Sequence, residues 1–255
     1  MTLREAPRSS TGYPRLLTVG DSAIAVELGD GIDLETNRRV YQLSAALEAM
    51  KELAIVELVP TYRSLLIHYD PLRSDYADIW GLVRYVLAQS FDDERSQRSA
   101  APVFEIPVLY GGGDGPDLET VASHANLSPE EVIRIHSSTT YRVYMLGFLP
   151  GFPYLGGMDA RIACPRLTTP RLHVPAGSVG IAERQTGVYP LDSPGGWQLI
   201  GKTPVKLFEP GRNPPVAILP GSYIRFVPIE RGEFSAVERR VLTGRYVLPR
   251  VEEER

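Results

Sequence analysis

Apolar positions in the first part of the chain follow two rhythms. Residues 15–19 and 22–28 alternate as short strands around the turn pair Gly20-Asp21. From Asp33, a residue suited to cap a helix, Val40, Leu43, Leu47 and Met50 recur at helical spacing to about Leu53. Residues 54–59 and 62–69 read as two more strands around Pro60-Thr61. Ser74 then stands where it can cap a second helix with the stripe Ile79, Val83, Val86 and Leu87. Two helices interleaved with hairpins predict a small α+β sandwich of ferredoxin-like type over residues 1–98.

The rhythm changes after the polar run 91–102, which reads as a linker. Residues 1–100 hold five Gly and four Pro, against eighteen of each in 101–255. Helix interiors exclude both residues, so the second part is expected to be mainly strands and turns. Strands are predicted at 103–109, 141–146, 178–182, 197–200, 205–208, 216–219 and 223–228. Helices are expected after Asp117, from the Ser128/Glu131 capping box to about His136, and over 233–242 before a charged tail. Short strands with Pro and Gly corners predict a closed or partly closed β-barrel over 99–255.

Composition narrows the function classes. Lys and Arg number 27 against 31 Asp and Glu, a net charge of −4, which supplies no global attraction for nucleic acid or a membrane. A single cysteine, Cys164, excludes an intrachain disulfide framework, and between Ala163 and Pro165 it reads as a buried inert thiol. Four dispersed histidines give no metal-ligand pattern, so no metal site of the chain's own is expected. With no signal-like or membrane-length apolar run, a cytoplasmic protein is expected.

One motif is rejected. Gly196-WQLI-Gly201-Lys202-Thr203 fits the P-loop expression, but a working P-loop needs a buried strand before it and a helix after it. Here Trp-Gln-Leu-Ile itself reads as a strand, and Pro204 follows. The glycine cluster Tyr110-GGGDGPD is read as a loop leading to a helix start rather than an anion site. The stretch from Gly147 to Thr203 carries more chemistry. Arg166, Arg171, His173 and Lys202 lie there with the neutral groups Ser178, Gln185 and Tyr189. They suit a small anion in a loop-lined barrel, since Arg grips a carboxylate or phosphate by two bonds. A barrel whose basic residues simply face water has the same composition, and both readings stand at this level.

Gly147-FLPGFPYLGG, Thr169-PRLHVPAGSVGIA and Ser193-PGGWQLIGKTP resemble the KipI family, also called the allophanate hydrolase subunit 1 or carboxyltransferase C/D family. The resemblance runs from about Arg15 to Pro228 and is densest over 110–204. It implies a ferredoxin-like domain followed by a cyclophilin-like β-barrel. One departure is Pro220-Gly221-Ser222, where the family pattern has Asp in third place.

The family's broadly distributed bacterial member is the B component of an ATP-dependent 5-oxoprolinase. The resemblance therefore implies a hydrolase component converting 5-oxo-L-proline to L-glutamate, with ATP and Mg2+ bound by the partner or shared with it. Its partners would be a KipA-like C component and a LamB/YcsF-like A component, and a homo-oligomer is left open. In that chemistry, phosphate transfer to the lactam oxygen would make the carbonyl carbon electrophilic. Arg171 would hold the carboxylate or a phosphate, and Lys202 the transferring group. His173 would move a proton, histidine being the side-chain type that ionises near neutral pH. Gly177, Ser178, Gln185, Gly195 and Gly196 would line the nucleotide. Backbone amides near Ala176-Gly177 and Gly195-Gly196 would form an oxyanion site. Two alternatives follow from the same resemblance: an inhibitor of a sensor histidine kinase, or half of a carboxyltransferase that acts on urea or allophanate.

Overall fold

The helix-and-hairpin rhythm of the first part becomes a four-stranded antiparallel sheet with two helices. A computed structural model describes residues 12–50, 54–89 and 102–251. The expected linker (Pro102 apart), the expected helix end at Leu53 and residues 252–255 of the tail lie outside them. Contacts group the chain into Met1–Gln97 and Arg98–Arg255.

The first unit runs β1 (Arg15–Val19), β2 (Ala23–Glu27), α1 (Leu34–Glu48), β3 (Ile55–Pro60), β4 (Ser64–Tyr69) and α2 (Tyr76–Ala88). Its sheet order is β1-β2-β4-β3. Both β2 and β3 pair antiparallel with β4, so they run parallel with β4 between them. Asp33 caps α1, its carboxylate accepting from the Thr36 amide at 2.8 Å. The second cap is Asp75 rather than Ser74: Asp75 and Asp78 exchange side-chain bonds to each other's amides, a reciprocal box that Ser74 only adjoins. The expected stripes Val40/Leu43/Leu47 and Ile79/Val83/Val86 are buried against Ile24, Val26, Leu65 and Ile67 of the sheet.

The second unit contains β5 (Val103–Tyr110), α3 (Leu118–Ala125), α4 (Pro129–Ser138), β6 (Thr140–Leu146), β7 (Pro153–Gly156), β8 (Arg171–Val174), β9 (Ser178–Ala182) and β10 (Gln185–Val188). It continues with β11 (Ser193–Gly195), β12 (Gln198–Lys202), β13 (Tyr223–Pro228), α5 (Arg231–Leu242) and β14 (Arg250–Val251). The main sheet runs β10-β9-β12-β5-β13-β6-β7, with β14 also on β5, and β8 pairs β11 separately. Strand β7 returns alongside β10, so the sheet nearly closes into a barrel. At that junction a Cβ on Gly187 would stand 3.1 Å from the Pro153 carbonyl, a close approach that glycine permits. Apolar side chains of α3 and α4 join the strands in one core.

Two expected strands, 205–208 and 216–219, reduce to a single bridge between Phe208 and Val216. Pro204, Pro210, Pro214 and Pro215 lack amide donors, and Arg212 takes over the bonding by donating to the Leu207, Pro214 and Pro215 carbonyls. The Gly221-Ser222 departure forms a tight turn in which Gly221 has φ +88°.

His136 lies fully buried inside the barrel, stacked on Phe226 at 4.5 Å. The Thr186 hydroxyl donates to the Gly180 carbonyl, so Thr186 Oγ1 accepts from His136 Nε2 at 2.8 Å. Nδ1 then accepts from the Tyr110 hydroxyl at 2.7 Å. This ring is a satisfied neutral core group, and burial pushes its pKa down to about 3. Among the described residues no helix is long and apolar enough to cross a membrane.

Candidate functional site

Strands β8, β11 and β12 and the loops around them gather the chemistry of the Gly147–Thr203 stretch. Asp117, expected as a cap for α3, makes no side-chain capping bond. Instead its buried carboxylate accepts from Arg171 Nη2 at 2.7 Å and from the Leu199 amide at 2.6 Å. Arg171 also reaches the Trp197 carbonyl at 3.4 Å. The guanidinium expected to hold a substrate anion is therefore engaged by an internal carboxylate, and it fixes the backbone at Trp197.

His173 meets a residue that sequence reasoning missed, Asp192, whose carboxyl also feels the Lys202 charge. His173 Nε2 lies 3.2 Å from Asp192 Oδ2, and both side chains are 64% exposed. Asp192 Oδ1 accepts from the Ala176 amide at 2.7 Å. That amide bond, then His173, and more weakly the Lys202 charge hold the Asp192 carboxyl below its usual range. A Cβ on Gly177 (φ +84°) would stand 2.3 Å from the Thr203 carbonyl and 3.6 Å from Lys202 Cγ, so glycine lets β12 pass close. The oxyanion site expected at Ala176-Gly177 is not available. The Ala176 amide goes to Asp192, and the Gly177 amide donates to the Tyr189 carbonyl at 2.7 Å.

Ser178 is buried at the start of β9, and Gln185 begins β10 opposite Ala182, on the other strand of that hairpin. The rejected P-loop string is confirmed as strand: Gln198–Lys202 is β12, between β9 and β5. The glycine cluster after β5 binds no anion through its first amide, since Gly111 donates to the Ile200 carbonyl at 3.0 Å. Cys164 is buried, and burial pushes its thiol up, as expected of an inert group. Among the described residues no group of three or more His, Cys, Asp or Glu side chains could hold a metal ion.

Gly195 and Gly196 lie at a different feature, a cavity of about 260 Å³. Its walls include Phe152, Tyr154, Tyr189 and Trp197. Phe152 meets Tyr189 and Trp197 edge-to-face, at 5.4 and 5.5 Å with interplanar angles of 86° and 89°. The Arg166 guanidinium stands over the Trp197 ring at 5.9 Å. Desolvation raises the Tyr154 and Tyr189 phenols, which keeps both neutral. At the mouth, Phe148 is 62% exposed and sits in the left-handed region at φ +60°.

Residues 14–218 match the family described as carboxyltransferase domain, subdomain C and D. The chain is 45% identical over 228 residues to a Bacillus subtilis protein named as the B subunit of 5-oxoprolinase, covering 86% of this chain and 94% of that one. An Escherichia coli O157:H7 protein of the same name is 42% identical, with 86% and 97% covered. The solved K. lactis urea amidolyase superposes with a TM-score of 0.77 at 20% identity, over 97% of this chain and 17% of that one. That last likeness carries the fold alone.

Proposed function

Since the chain belongs to the family of carboxyltransferase domains, subdomains C and D, we propose that it serves as the B component of an ATP-dependent 5-oxoprolinase. The observation carrying this reading is identity of 45% and 42% to two proteins so named, each matched over almost its whole length. In this reading the protein is a cytoplasmic hydrolase component that works with the A and C components on 5-oxo-L-proline. Its two contact-defined units are its domains. The first has the strand order of a ferredoxin-like sheet with the edge strand β1 placed first in the chain instead of last. The second is the cyclophilin-like barrel.

ATP hydrolysis drives the opening of a resonance-stabilised lactam. The P-loop-like string is a central barrel strand, so phosphate recognition through a loop and helix N-terminus does not arise there. In this reading Mg2+ and the nucleotide phosphates are bound by the partner or shared with it. What this chain offers to a shared site is the exposed pair His173 and Asp192 with the half-buried Lys202. Asp192 orients the His173 ring through Nε2 and holds the loop at Ala176. Lys202 supplies a positive charge beside them, suited to charge that develops on an oxygen.

ATP-dependent glutamate release by the assembled complex tests the function, and two variants test the site. His173→Ala and Lys202→Ala are each expected to lower kcat by about 100-fold or more, the scale of a positioned acid–base or charge-stabilising group. Full activity in both variants would place the chemistry elsewhere.

A further inference from the structure

The cavity walled by Phe152, Tyr154, Tyr189 and Trp197 includes Gly195, which pairs across β11 and β8 with Arg171, two residues from His173, and its construction points to a ligand. Its rings rest on glycines. A Cβ on Gly187 would stand 3.2 Å from the Phe152 ring, one on Gly147 3.4 Å from Tyr154, and one on Gly195 2.5 Å from the Tyr189 hydroxyl. The glycines let these rings sit against the backbone and hold a fixed herringbone.

The charge at the cavity is equally specific. Arg166 lines it, is exposed, and makes no ion pair among the described residues, whereas Arg171 is committed to Asp117. A cation over an aromatic wall, with no carboxylate of the chain's own, suits a ligand that brings one. The small volume suits a single ring rather than a nucleotide or a peptide.

We propose that this cup binds a small cyclic carboxylate. The 5-oxoproline ring would lie against the aromatic walls and place its carboxylate on Arg166. The inference rests on the oxoprolinase reading for the identity of the ring, while the cup and its free cation are properties of this chain.

The test compares Arg166→Gln, Arg166→Lys and the native chain in the three-part complex. It also uses 2-pyrrolidinone, the same lactam without its carboxylate, as a competitor. Arg166→Gln is expected to raise KM for 5-oxoproline by about 10- to 100-fold, the worth of a charge-assisted pair. Its kcat should stay within a few-fold, Arg166→Lys should recover part of the loss, and inhibition by 2-pyrrolidinone should not change. An unchanged KM in Arg166→Gln, or equal weakening of both ligands, would overturn the proposal and leave the oxoprolinase reading intact.

If the native complex forms no glutamate, the oxoprolinase reading falls, and the cup is judged by binding alone. The chain has two tryptophans, so Trp80→Phe leaves Trp197 as the sole reporter. A saturable change in its emission with 5-oxo-L-proline, lost in Arg166→Gln, supports the cup, and a flat titration overturns it.

Discussion

A methyl group on Gly195 would stand 2.5 Å from the Tyr189 hydroxyl and 3.0 Å from its ring, and Tyr189 is 1% exposed. Gly195→Ala is therefore expected to cost about 1–3 kcal/mol, the usual range for overpacking, read as a lower urea midpoint at unchanged m-value. His136 supports a second prediction with a definite sign. Its folded pKa, about 3, lies below the ~6.5 of an unfolded histidine. The unfolded chain thus binds the extra proton between those values. Stability is full above about pH 6.5 and falls as pH drops toward 3, by up to ~4 kcal/mol from this group. His136→Phe keeps the ring but strands the Tyr110 hydroxyl, at about 1–3 kcal/mol, while the Thr186 hydroxyl keeps its bond to the Gly180 carbonyl. The variant should be less stable at pH 7, and its urea midpoint should lose this part of the acid slope. A slope equal to the native one would contradict the assignment.

At the scale of elements, Asp117 ties the start of α3 to β8 and β12 through Arg171 and the Leu199 amide. Asp117→Ala would leave a half-buried guanidinium and a buried amide unpaired, and a loss of about 3–5 kcal/mol is expected in denaturant unfolding. This residue also marks the limit of what the sequence reveals. Its local signature is that of a cap, but its partners stand 54 and 82 residues away, which no local pattern can show. Asp33 and the Ser128/Glu131 box are legible because their bonds close within three residues. Ser74 and Asp75 are both cap-forming types, and only the reciprocal bond with Asp78 decides between them. Strands β7, β8, β10 and β11 leave no sequence signal, because segments of three or four residues owe their form to pairing across the chain. Conversely, 205–208 and 216–219 have strand-like side chains, but with prolines bracketing them at 204, 210, 214, 215 and 220 they form only the Phe208–Val216 bridge.

For the whole molecule, the barrel and the dense Gly147–Thr203 stretch are visible in the distribution of Gly and Pro. The grouping of residues within that stretch is not. His173 meets Asp192, while Phe152, Arg166, Tyr189 and Trp197 line one cavity. Neither set has a spacing that announces it, because pairing between segments distant in sequence is what brings the residues together. Arg171 is engaged by Asp117, while Arg166 stands over Trp197 with no ion pair among the described residues.

The central claim is that this chain is an indispensable part of a lactam-opening machine. The most direct measurement is glutamate released from 5-oxo-L-proline by the chain mixed with its cognate A and C components, omitting each component and ATP in turn. Glutamate is expected only when all three components and ATP are present. Undiminished glutamate without this chain, or none from a verified and folded three-part complex, would contradict it.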